Sequence, residues 1–174
     1  MIWYLDIETT GLDPKVDKII TIQYAKLERG TGKQVGDLKI LKRWEMPIHE
    51  MITTLIRDTS IDHPYAFMCI PVGYNLDFEN RFLRYMSLGK IDLSLRPKID
   101  LFSLGILING GEFKGSGLDQ ITNKKQSGRM IPTWYANHDY NLIIDYIEDE
   151  TKSFVKWYSN LHNYLPTIKE KLLQ

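Results

Sequence analysis

Cysteine is nearly absent. The chain has one, Cys69, inside the apolar run at 67–72. A single thiol excludes an intrachain disulfide framework, and its setting reads as a small buried apolar residue rather than a reactive group. That points to a reducing compartment and a cytoplasmic location. An excess of one charge is lacking too: Lys plus Arg number 22, as do Asp plus Glu. A general electrostatic grip on nucleic acid or on a membrane surface is therefore not supported, although a local basic patch stays open. No apolar run approaches the roughly 20 residues of a membrane span. No basic segment precedes the first apolar run, so no cleaved signal is expected. Repeats, low-complexity tracts and linkers are missing as well. What is present, 174 residues with 43% apolar and 25% charged, suits one domain over 1–174 with a sizeable core.

Period-2 alternation predicts strands at 2–7, 18–28 and 34–43, the last two joined by a hairpin turn through "RGTGK". Pro47 opens a helix through Arg57, and "MCIPVGY" is a short buried strand leading to a helix at 76–88. A short extended piece reaches Asp100, the N-cap of a helix through Ile108. "SGLDQIT" is a short helix capped near Ser116, with Trp134 and Tyr135 in a loop after Pro132. A long helix spans 139–161, and Pro166 starts a last short one. Strands followed by interleaved strands and helices give an α/β domain with a mixed sheet.

The acids matter for where they face. Asp6 and Glu8 sit two apart near the end of the first strand, so they share a face. In open α/β sheets ligands collect beyond the carboxyl ends of strands. As a pair they also fit an ordinary solvated strand end. In the long helix, Tyr140, Ile143, Ile147, Phe154, Trp157, Tyr158 and Leu161 form one stripe, and Glu150 falls within roughly 20° of Ile143 and Leu161. Tyr146 is one turn before it. In the helix after "PVGYN", Phe78, Phe82, Tyr85 and Met86 define the buried arc, with Leu83 at its margin. Glu79 lies inside that arc and Asp77 opposite. An ionised acid facing a core is costly unless it is paired or bound to a metal. A salt bridge is the alternative for Glu150 and for Glu79. Four inward carboxylates balance two divalent ions, and oxygen-only ligands select hard cations such as Mg²⁺ or Mn²⁺.

With these residues in view, "DIETTGLDP" resembles the first motif of the DEDD 3′–5′ exonucleases, and "GYNLDFENRFL" resembles their second. "YIEDE" supplies Tyr146 four residues before Glu150, similar to the third motif of the tyrosine-type branch. The resemblance covers nearly the whole chain. Two positions depart from the family pattern, which has Asp where this chain has Glu79 and Glu150. A second register would use Tyr135 and Asp139. His138 would suit the sister branch, but the acid needed five residues on is Ile143.

The resemblance implies a ribonuclease H-like mixed β-sheet flanked by helices and two-metal hydrolysis of phosphodiesters from a single-stranded 3′ end of DNA or RNA, releasing nucleoside 5′-monophosphates. Asp6, Glu8, Glu79 and Glu150 would hold two Mg²⁺ or Mn²⁺ ions, and Tyr146 would orient the attacking water. Thr9, Thr10 and Gly11 would lie beside the terminal nucleotide with backbone N–H groups available to it, and Leu12 would stack on the last base. Gly11 and Leu12 also read as an ordinary turn residue and a small core contributor. Asn75 would act near the metals or cap its helix. Backbone contacts would come from Arg81, Arg84, Lys114, Lys124, Lys125 and Arg129, although the basic loop also reads as a solvated one. Trp134 and Tyr135 would stack on bases. A proofreading role would need a polymerase or repair partner. The alternative is a catalytically weak or silent nucleic-acid-binding or interaction domain.

Overall fold

The computed structural model describes residues 1–122 and 128–173. Its centre is a five-stranded sheet of β1 (Ile2–Thr9), β2 (Ile19–Leu27), β3 (Gln34–Lys42), β4 (Ile70–Gly73) and β5 (Ile99–Asp100). The spatial order is β3-β2-β1-β4-β5. The first three strands pair antiparallel, whereas β1, β4 and β5 run parallel. The helices are α1 (Ile48–Thr59), α2 (Leu76–Met86), α3 (Leu101–Ile108), α4 (Leu118–Thr122), α5 (Ile131–Ala136) and α6 (Tyr140–Leu172).

Alternation along β1 sorts its side chains between two layers. Leu5 and Ile7, with Trp3, join Met51, Leu55, Phe82 and Leu83 of α1 and α2 on one face. Ile2 and Tyr4 join Phe154 and Tyr158 of α6 on the other. A strand paired on both edges and covered on both faces is the best-held element of such a fold. Asp6 and Glu8 continue the row of Ile2 and Tyr4, so they point to the α6 layer. A third cluster, Ile20, Ile131, Ile143, Tyr146 and Ile147, ties α5 and α6 to the sheet.

Four local expectations are corrected. Trp134 and Tyr135 lie on α5, because Pro132 sits in the first turn of that helix, where a missing N–H costs nothing. Pro166 starts no new helix: α6 runs through it for 33 residues. The surrounding turns are exposed, so water can take the His162 carbonyl that Pro166 cannot bond. Ser116 does not cap α4. Its hydroxyl donates to the Glu112 carbonyl, and the Gly117 carbonyl accepts from the first turn instead. On α2, Leu83 is fully buried while Tyr85 is half exposed, so the buried arc is rotated toward Leu83. Asp100 does cap α3, accepting from the Phe102 N–H. Cys69 is buried, and burial pushes its thiol up to about 11.

Candidate metal and active site

Carboxylate oxygens of Asp6, Glu8 and Glu150 all lie within 4.8 Å of one another. Two come from the end of β1 and one from the middle of α6, brought over the strand by the packing of Phe154 on Tyr4 at 4.9 Å between ring centroids. Glu79 reaches the same region from α2. It is 3% exposed, and its Oε2 is buried without a hydrogen-bond partner. Burial first, then the charge of Asp6, pushes the Glu79 carboxyl well above the usual range. Asp77 points away and pairs with Lys98 at the surface.

Asp6 is held by its neighbours. Gln23 Nε2 donates to its Oδ2 at 2.8 Å, and Tyr4 Oη donates to the same oxygen at 3.3 Å. Thr21 Oγ1 donates to Gln23 Oε1 at 3.0 Å, which fixes the amide so that its NH₂ faces Asp6. Burial and then the charge of Glu150 raise Asp6 to about 7, against the lowering effect of the Gln23 bond. Sequence reasoning missed Gln23, Thr21 and Tyr4. The available signal was two polar residues, Thr21 and Gln23, spaced two apart inside the apolar strand "IITIQYAKL".

The Tyr146 hydroxyl donates to Glu150, and burial followed by the Glu150 charge keeps it protonated far into the alkaline range. A Cβ on Gly128 would stand 3.0 Å from that hydroxyl, so the chain passes close over it. The Trp134 ring packs 6.3 Å from Tyr146. Tyr135 packs against Trp44 and Tyr140. Asp139 is exposed at the start of α6, outside the carboxylate group, so the Tyr135–Asp139 register has no geometric support.

The turn after β1 is braced internally. Thr9 Oγ1 donates to the Gly11 carbonyl at 2.6 Å, and Thr10 Oγ1 donates to Asp17 at 3.2 Å. The Thr10 N–H donates to the Lys18 carbonyl, so it is not available to a nucleotide as expected. A Cβ on Gly11 would stand 2.5 Å from the Asp17 carboxylate, so a larger residue there would displace the side chain that braces the turn. Leu12 is 75% exposed and adds nothing to the core. Asn75 occupies the cap position of α2 with φ of 65° and no side-chain capping bond; its backbone N–H donates to Asp100 at 2.8 Å. Asn tolerates that left-handed conformation better than most residues.

Arg84 pairs with Asp92 at 3.3 Å, and the Arg81 guanidinium lies 5.5 Å from the centre of the Phe78 ring. Lys114 and Arg129 are exposed, while Lys124 and Lys125 fall outside the described residues. No helix among the described residues is long and apolar enough to cross a membrane.

No protein-family profile and no curated protein matches the chain. Solved structures do. E. coli exonuclease I in complex with a dT13 oligonucleotide aligns with a TM-score of 0.61 at 11% identity, over 99% of this chain and 43% of that one. A product-bound structure of exonuclease I gives 0.51 at 14%, over 74% and 40%. The chain thus spans less than half the length of these proteins. It shares with them the α/β, ribonuclease H-like fold.

Proposed function

We propose that residues 1–174 form a single metal-dependent 3′–5′ exonuclease domain acting on single-stranded DNA or RNA. The observation that carries this reading is the convergence of Asp6, Glu8 and Glu150 within 4.8 Å, on the strand end and helix where the DEDD resemblance puts its metal ligands. The fold shared with exonuclease I, seen with a dT13 oligonucleotide, adds support by analogy.

The residues fit a pair of hard cations. The clustered donors are carboxylate oxygens of Asp6, Glu8 and Glu150, and the Glu79 carboxyl, which feels the Asp6 charge, has a buried Oε2 without a hydrogen bond. Burial pushes both Asp6 and Glu79 up, and the charge of Glu150 on Asp6 and of Asp6 on Glu79 adds to it, a conflict that divalent charge would remove. Asp6, Glu8, Glu79 and Glu150 would hold two Mg²⁺ or Mn²⁺ ions. Once bound, these would supply Lewis-acid stabilisation of charge developing on the attacking and leaving phosphodiester oxygens.

The chain's own groups divide the remaining work. Tyr146 keeps its proton, so it orients a water by hydrogen bonding and does not act as its base. Gln23 and Tyr4 hold Asp6 in place. Leu12 offers an apolar surface to the terminal base, and Thr9, Thr10, Gly11 and Asn75 shape the floor beside it. Water adds across the terminal P–O3′ bond: the hydroxyl goes to phosphorus, the proton to the leaving 3′ oxygen, and a nucleoside 5′-monophosphate departs.

The test is incubation of 5′-labelled single strands with Mg²⁺ or Mn²⁺. Stepwise shortening from the 3′ end is expected, abolished by chelator and by Glu8→Ala. A lack of laddering with either metal sinks the assignment, and a single product of fixed length would indicate an endonuclease.

A further inference from the structure

A groove of about 730 Å³ is lined by Pro14 and Lys15 on one bank and by Arg81, Arg84, Tyr85, Met86, Leu88 and Gly89 on the other. The first bank is the turn that follows Leu12. The second is the far end of α2, the helix that carries Glu79 at its start. Both banks are thus joined through the chain to elements that carry the carboxylates: the turn follows β1, and α2 bears Glu79 in its first turn.

Its chemistry is mixed in an informative way. The floor is apolar and the rim carries Lys15, Arg81 and Arg84, the last paired with Asp92 at 3.3 Å, although the chain as a whole has no net charge. Several apolar groups here stand exposed. Leu88 is 92% exposed and sits at φ of 55°, a left-handed conformation that a leucine adopts only at a cost. Tyr85 is 50% exposed on the same bank. Leu12 and Val16 stand out from the opposing turn. Flat apolar surfaces between cations match a chain whose units are a π-face and a phosphate.

We propose that this groove carries the single-stranded nucleic acid on the 5′ side of the terminal nucleotide, with phosphates on Lys15 and Arg81 and bases against Tyr85 and Leu88. The polarity rests on the exonuclease reading; the binding does not. Lys15, Arg81 and Tyr85 are exposed, so replacing them leaves the core untouched.

The experiment measures fluorescence anisotropy of a 5′-labelled octathymidylate in chelator, where no strand is cut. Lys15→Ser/Arg81→Ser/Tyr85→Ser should bind roughly tenfold or more weakly than the parent, with a salt dependence shallower by about two. Lys169→Ser/Lys171→Ser, which removes two cations at the far end of α6, should bind like the parent. Equal binding by the groove variant, or equal loss in the control, overturns the proposal. So does sedimentation showing a parent dimer that the groove variant converts to monomer, since a second copy would then fill the groove. Hydrolysis separates the two readings. If the parent cuts no strand in Mn²⁺ but groove-dependent binding persists, the groove stands and the exonuclease reading falls. If the parent cuts strands and the groove variant binds and cuts the octamer equally well, the reverse holds.

Discussion

Glu79 and Asp77 are two residues apart, yet their surroundings differ completely. Glu79 is buried with an unbonded oxygen; Asp77 is exposed and paired with Lys98. Helical phase separates them in the sequence, because their neighbours Phe78, Phe82 and Leu83 set the inward direction. Glu79→Gln keeps the volume and removes the charge, so strand cutting should fall on the order of 100-fold or more. Asp77→Asn should change it by less than roughly twofold, since an exposed pair contributes little. Steady-state cleavage of a labelled strand decides this: loss that follows Asp77 and spares Glu79 refutes the assignment. The supports of Asp6 were less legible. Gln23 and Thr21 sit in a strand whose alternation reads as apolar, and only the register Asp6↔Gln23 and Glu8↔Thr21 explains why they are polar.

At the level of elements, strands and helix faces could be read from period, but ends and exceptions could not. Proline marks a break in a sequence pattern, yet Pro132 opens α5 and Pro166 rides inside α6. Whether a proline is tolerated depends on whether the bond it removes was going to water anyway. The docking of α1 on the sheet was also invisible, because it depends on residues far apart in sequence. Asp58 accepts from Tyr24 Oη at 2.8 Å, Lys39 Nζ at 2.6 Å and Arg57 Nε at 3.0 Å. Burial alone pushes Asp58 up; these donors outweigh it and hold the carboxyl at about 2. The folded-state pKa is depressed, so the stabilisation is fully present above the unfolded value near 4 and is lost as pH falls toward 2. Asp58→Asn should therefore cost about 2 kcal/mol at pH 6 in urea unfolding. The gap to the parent protein should close between about pH 4 and pH 2; a gap constant over that range contradicts the linkage.

For the whole molecule, the order β3-β2-β1-β4-β5 gives the carboxylates supports of unequal strength. Asp6 and Glu8 belong to a strand paired on both sides. Glu150 belongs to a helix whose last turns, beyond Leu161, lie exposed. Amide hydrogens differ accordingly, because a central strand exchanges only when the whole domain opens, whereas exposed helix ends open locally. Exchange followed by mass spectrometry should find Leu5–Ile7 among the slowest amides and residues 163–172 among the fastest. Comparable rates in the two segments would contradict this ranking. The consequence concerns the order of assembly and loss. A partial opening that frees α6 takes Glu150 with it but leaves Asp6 and Glu8 in register, so the strand's two acids outlive the helix's one and are there to receive the helix when it returns.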